Sequence, residues 1–228
     1  MAGADPIASF HDTPKGARTT PFSGAFERLL AETFRIARRE RRIEEKPEAS
    51  IDATGMESHH VSRHFLFRAG RMKQYRRFPK LTFVSHHATH LIAAMRFRYG
   101  PCQDSPDFLP AVAQAVRHLP IDRLLGDGAY DVENHHRICR TQWGIRSTIF
   151  PINPRRSHQH TPKTRYRAQL HRRFPNRLYR RRWHAESTIS PHKRRLGAAL
   201  RSRSETQREC ECRLRVVTHN LMILARAG

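Results

Sequence analysis

Acidic residues are scarce in this chain. Twenty Asp and Glu stand against 43 Lys and Arg, which leaves a formal net charge of +23 over 228 residues. An excess of that size repels itself in a compact state and points to a polyanionic partner, nucleic acid being the commonest. Long apolar runs are also lacking. No stretch of about 18 apolar residues is present to form a transmembrane helix. Met1 to Thr20 has no apolar run of the kind a secretory signal needs. The expectation is a cytoplasmic protein with no membrane partner. Cysteine is sparse: Cys102, Cys139, Cys210 and Cys212 offer neither a C-x-x-C pair nor a disulfide framework, which suits a reducing compartment. Apolar residues make up 38% of the chain, low for a globular protein but enough, at this length, for one good-sized core.

What is present reads as alternating strands and helices. Residues 1–21 are polar, with Pro6, Gly16 and Pro21, and read as a disordered tail. Residues 22–49 read as an N-terminal helix and linker. Phe26, Leu29, Leu30 and Phe34 recur at helical spacing, a charge cluster runs from Arg38 to Lys46, and Pro47 closes the segment. Residues 50–228 read as one domain. Strands are expected at Ser50–Thr54 and Val61–Phe67, and a hairpin at Leu81–His87 and His90–Tyr99. Ser105-Pro106-Asp107 is a helix start, and Phe108, Val112, Ala115 and Leu119 give that helix its buried stripe. A strand at Ile121–Leu125 runs into Gly126-Asp127-Gly128. A helix at Asp131–Trp143 is followed by Gly144, and a strand by Ile145–Ile152. Asn153 to Leu178 has no convincing periodicity. Helical segments follow to about Leu200, then a last helix from Glu205 to Leu224 with Cys210, Leu214, Val217, Leu221 and Leu224 on its core face. Strands first and alternation afterwards predict an α/β protein, a mixed sheet covered by helices.

From Arg155 to Arg203 there are sixteen Lys or Arg and one acid, Glu186. A basic run alone is weakly specific, since it serves equally as a solvated surface. A lone carboxylate inside it is either an incidental partner for a neighbouring Arg or a group with a function of its own. Spacing bears on the choice. Tyr179, Arg182 and Lys193 stand at −7, −4 and +7 from Glu186. On a continuous helix these offsets fall within about 40° of Glu186. A phenol, a guanidinium, a carboxylate and an ammonium make no core face; they make a polar surface suited to phosphate and metal. Pro191 falls inside that stretch. Proline lacks the N–H and clashes one turn back, so the expectation is a kink or a break between Glu186 and Lys193 that displaces Lys193.

This Y-x2-R-x3-E-x6-K pattern resembles the third catalytic motif of the DDE transposases of bacterial insertion sequences. Leu125-Gly126-Asp127-Gly128-Ala129-Tyr130-Asp131 resembles the second motif, although Gly128-Ala129 stands in the reverse of the usual order. Ile51-Asp52-Ala53-Thr54-Gly55 resembles the first. The likeness spans about residues 50 to 224. It implies an RNase H-like fold and metal-dependent cleavage and strand transfer of insertion-sequence ends. Asp52, Asp127 and Glu186 are then the catalytic, metal-binding carboxylates for Mg²⁺ or Mn²⁺, with Asp52 bridging two ions. Tyr179, Arg182, Lys193, Arg194 and Arg195 are then the DNA-binding residues. The implied partners are double-stranded DNA with terminal inverted repeats and a second copy, as a homodimer on DNA, at the nucleoid of a bacterial cytoplasm.

The chemistry is consistent with such a set. Phosphoryl displacement is served by two metal ions that stabilise the attacking and leaving oxygens, and hard Mg²⁺ takes carboxylate oxygen. Only about 50 residues precede Asp52, short for this kind of protein, so a shortened copy or one part of a split gene is expected. The alternative function is a non-catalytic DNA-binding relic. Zinc is not indicated: His135 with Cys139, and His158 with His160, give no four-ligand pattern. His59-His60 and His86-His87 read as strand or DNA-facing residues, and Trp143 and Trp183 as core or base-stacking residues.

Overall fold

The computed structural model describes residues 22–58, 77–149 and 162–226. Among the described residues seven strands run in chain order: β1 Glu48–Gly55, β2 Glu57–Ser58, β3 Phe78–His86, β4 Ile92–Gly100, β5 Arg123–Gly126, β6 Arg146–Ile149 and β7 Ala199–Leu200. The α-helices are α1 Ser23–Arg39, α2 Phe108–Val116, α3 Glu133–Thr141, α4 Arg165–Arg172, α5 Asn176–Tyr179, α6 Trp183–Leu196 and α7 Glu205–Ala225.

Five strands form one sheet in the order β4-β3-β1-β5-β6. β1 pairs antiparallel with β3, and β3 with β4, as the expected hairpin. On its other side β1 pairs parallel with β5, and β5 with β6. The parallel β5–β6 pair needs a crossover, and α3 supplies it. This mixed sheet flanked by helices is an α/β, RNase H-like arrangement. β2 and β7 form a separate two-stranded parallel pair. The expected strand Val61–Phe67 and the tail 1–21 lie outside the described residues.

Side chains alternate across a strand, and two apolar clusters show it. Ala49 and Ile51 of β1, with Val84, Phe108, Val112, Ala115, Leu119, Leu124 and Ile149, build the larger one on one face. Leu81 and Phe83 of β3, Ile92 and Met95 of β4, and Leu200, Cys212 and Val216 build the second, with Phe26 and Leu30 of α1. Ser50 and Asp52 occupy the alternate positions of β1, so they share the face on which Phe83 lies. That is the face where α6 packs.

Helix starts and faces depart from expectation in instructive ways. Ser105–Asp107 is a 3-10 turn leading into α2, with no side-chain cap from Asp104. The expected stripe of that helix is buried throughout. In α1, Phe26, Leu30 and Phe34 are buried, but Leu29 stands 43% exposed, off the stripe. Gly144 follows α3 with φ of +65°, the left-handed conformation expected beyond a helix end. α7 is rotated from its expected face. Cys212, Val216, Val217, His219 and Asn220 are buried, whereas Leu214 and Leu221 are about half exposed and Cys210 is only partly buried. The reason is polar pairing. Asn220 Oδ1 accepts from the Ile92 N–H at 2.8 Å, and its Nδ2 donates to Ile92 O at 3.0 Å. Those bonds to the sheet decide which stripe turns inward.

Candidate active site

Asp52 lies mid-strand on β1, the centre of the sheet. It pairs with Phe83 on β3, and on its other side the β1–β5 pairing runs up to Ser50 opposite Leu125. Continuing the parallel register by two residues brings Asp52 level with Asp127, the first residue after β5. Asp127 turns the chain into the 3-10 segment Gly128–Tyr130, its Oδ1 accepting from the Ala129 N–H at 2.9 Å. The default role of an Asp between glycines, a turn former, is therefore also filled. Gly126 is where backbone approach is tight. A Cβ there would stand 3.2 Å from Ile51 Cγ2 and 3.4 Å from Tyr130 Cδ2. Tyr130 is fully buried beneath that point.

Glu186 comes from the first turn of α6, exposed, on a helix whose Ala185, Thr188 and His192 are buried. Arg182, four residues earlier, ends the 3-10 segment Arg180–Arg182. Its guanidinium lies between the two acids: Nη1 is 3.5 Å from Asp52 Oδ2 and Nη2 is 3.5 Å from Glu186 Oε1. Burial pushes the Asp52 carboxyl up, and the Asp127 and Glu186 carboxylates push it the same way. The Ala53 N–H and Arg182 oppose them. Asp52 thus feels both of the other carboxylates.

A cleft of about 440 Å³ opens between β1 and α6. Asp52, Ala53, Thr54, Glu186, Ile189, Ser190, Lys193 and Arg194 line it. Lys193 Nζ donates to Gly55 O at 2.8 Å, and burial pulls its ammonium down. The expectation that Pro191 displaces Lys193 is overturned. α6 runs through Pro191 to Leu196, and Lys193 lines the same cleft as Glu186, two turns further on. Packing of Ala185, Thr188 and His192 against the sheet and α7 offsets the penalty of an internal proline. The irregularity falls instead at Arg180–Arg182, where the helical course tightens to a 3-10 turn, and Tyr179 ends the short helix α5 before it. Tyr179 still sits near the acids. Burial raises its phenol to about 12, with Asp127 and Asp52 adding to the rise and Arg182 opposing it.

Two expected DNA-binding residues part company. Arg194 lines the cleft, whereas Arg195 lies where its charge acts on His219 of α7. His86 ends β3 and His87 opens the turn after it, and both are buried. Trp143 packs against the core, and Trp183 is 56% exposed with its ring stacked on His184. Thr54, Ile189 and Ser190 were not anticipated. The last two follow from helical spacing, at +3 and +4 from Glu186, once the cleft is known to lie on that stripe.

The donor set of Asp52, Asp127 and Glu186 is all carboxylate oxygen, the chemistry that Mg²⁺ and Mn²⁺ take. Asp52, half-desolvated and pushed up by two neighbouring acids, is a group that a cation would stabilise. Among the described residues, however, no three His, Cys, Asp or Glu side chains gather closely enough to hold a metal ion. The space between Asp52 and Glu186 holds Arg182.

A mixed sheet that sets an acid of its central strand and an acid of a flanking helix along one cleft, with a third acid just past the end of the neighbouring strand, defines a class of site rather than a single protein. The comparison with family models narrows it: the transposase DDE domain matches residues 44–221. The chain belongs to that family. No curated protein matches it. Among the described residues no helix is long and apolar enough to cross a membrane.

Proposed function

We propose that this chain is the catalytic domain of a DNA transposase, cleaving insertion-sequence ends and joining them to target DNA. Asp52, Asp127 and Glu186 hold its divalent ions. When bound, Mg²⁺ or Mn²⁺ supplies an activated oxygen nucleophile and offsets charge on the leaving oxygen. The remaining work falls to the chain. Lys193, at the cleft wall beside Glu186, neutralises a phosphate next to the scissile bond. Arg194, exposed on the same wall, adds a second phosphate contact. Tyr179 stays protonated near neutrality and donates a hydrogen bond. The basic surface from Lys163 to Arg203 holds the duplex by phosphate contact. Terminal inverted repeats are the DNA recognised, a homodimer is the acting form, and the bacterial nucleoid is the place of action.

The observation that carries this reading is the shared cleft. Asp52 on β1, Glu186 on α6 and Lys193 on α6 line one opening, in a chain of the DDE family. The alternative, a DNA-binding chain without catalysis, is favoured by one observation, the lack of a converged three-acid cluster among the described residues. Nicking of labelled element-end DNA in Mg²⁺ separates the two. Asp52→Asn, Asp127→Asn and Glu186→Gln should each abolish nicking while DNA binding is kept or tightened. No Mg²⁺-dependent nicking by the wild-type chain would leave the binding-only reading.

A further inference from the structure

Arg182 stands where the chemistry calls for a different cation. One guanidinium spans an acid on the sheet and an acid on the helix, each at 3.5 Å. Those distances lie at the outer edge of hydrogen bonding, so the clamp is loose. Its members differ in exposure: the side chains of Asp52, Arg182 and Glu186 are 18%, 23% and 70% exposed. The Asp52 end is thus shielded from solvent and the Glu186 end is open. To free the two acids the guanidinium has to swing away.

We propose that Arg182 is an internal counter-ion, which competes with the divalent ion for Asp52 and Glu186 and moves to a DNA phosphate once the ion and the duplex are bound. The proposal rests on the reading of Asp52 and Glu186 as metal ligands. Three consequences follow from electrostatics alone. With Arg182 in place, two oxygens that a metal would use carry a bound positive charge, and an incoming ion meets repulsion. A duplex offers Arg182 an alternative anion, so DNA lowers the cost of metal entry. By linkage the metal then tightens DNA binding by the same factor. Arg182 would thus keep the cleft intact without metal and tie metal loading to the presence of substrate. It is a positioning residue, acting through the two carboxylates.

The test is a Mn²⁺ titration of the full chain, read from the electron paramagnetic resonance signal of free Mn²⁺, with and without a short duplex at fixed ionic strength. Wild type, Arg182→Gln, Arg182→Lys and Asp52→Asn are compared. Arg182→Gln should bind Mn²⁺ about tenfold more tightly than wild type in the absence of DNA, as expected for removing one nearby charge. It should also lose most of the tightening that DNA produces in wild type. Arg182→Lys keeps the charge but cannot span both acids, and should fall between the two; it serves if Arg182→Gln does not fold. Equal or weaker Mn²⁺ binding by the Arg182 variants overturns the proposal. If Asp52→Asn binds less Mn²⁺ while the Arg182 variants match wild type, only the counter-ion idea falls. If Asp52→Asn binds as wild type does, or no variant binds Mn²⁺, the carboxylates are not the ligands and both readings fall.

Discussion

His192 provides a stability prediction independent of any catalytic assignment. It sits on the buried face of α6, and neither ring nitrogen has a hydrogen-bond partner. Phe83 of β3 and His219 of α7 pack against its ring, both with centroids 5.5 Å away. Burial drives its pKa from the ordinary 6.5 down to about 3, and the positive groups facing it, His219 and Arg215 of α7 and Lys193 of its own helix, push the same way. The folded-state value is below the unfolded one. As pH falls below 6.5 the unfolded chain takes up a proton that the folded chain refuses, so stability is lost progressively down to about pH 3. At pH 5 the loss is about 1.5 pH units' worth, or about 2 kcal/mol from this residue. His192→Leu removes the titrating group at similar volume. Urea unfolding at pH 7 and pH 5 should show the variant losing about 2 kcal/mol less than wild type over that interval. At pH 7 it should be no less stable, since two unpartnered buried nitrogens are gone. Equal losses in the two proteins would refute the assignment of His192 as a buried neutral imidazole.

Two further outcomes are expected. Pro191→Ala restores an N–H inside a helix that already runs through this position, so it should raise the unfolding free energy by up to about 3 kcal/mol. Because Lys193 already lines the cleft, nicking should change less than twofold; a large gain in rate would mean that Pro191 does distort the site. DNA binding should depend steeply on salt, with a log–log slope of about −0.9 per phosphate contacted. Electrophoretic titration across salt concentrations checks it, and a slope near zero would remove the role given to the basic surface.

The parts of the fold that read correctly from sequence are those where apolar spacing and burial coincide. Phe108, Val112, Ala115 and Leu119 form such a stripe, and the β3–β4 hairpin alternates as its side chains do. The parts that misread are those where polar groups are buried with partners. α7 turns His219 and Asn220 inward because they bond to His90 O and to both main-chain groups of Ile92, which no count of apolar residues can register. α4 escaped notice for a related reason. Leu170 is its one buried residue, and its first N–H groups, those of Tyr166 and Arg167, are held by the Glu133 carboxylate of α3. For the site, motif and strand position brought Asp52, Glu186 and Lys193 to the right elements. What spacing could not convey was the 3-10 turn at Arg180–Arg182 and the placing of Arg182 between two acids. Both depend on how α6 lies against β1.

The central claim is that Asp52, Asp127 and Glu186 are ligands of one catalytic metal centre, and exchanging ligand softness tests it most directly. Each acid is replaced by cysteine in turn, and nicking of element-end DNA is measured in Mg²⁺ and then in the more thiophilic Mn²⁺ or Cd²⁺. The account predicts that each variant loses nicking in Mg²⁺ and that at least Asp127→Cys, at the end of β5, regains it with the softer ion. Wild-type nicking in Mg²⁺ by any one of the three, or a loss that neither softer ion restores in any of them, would contradict it.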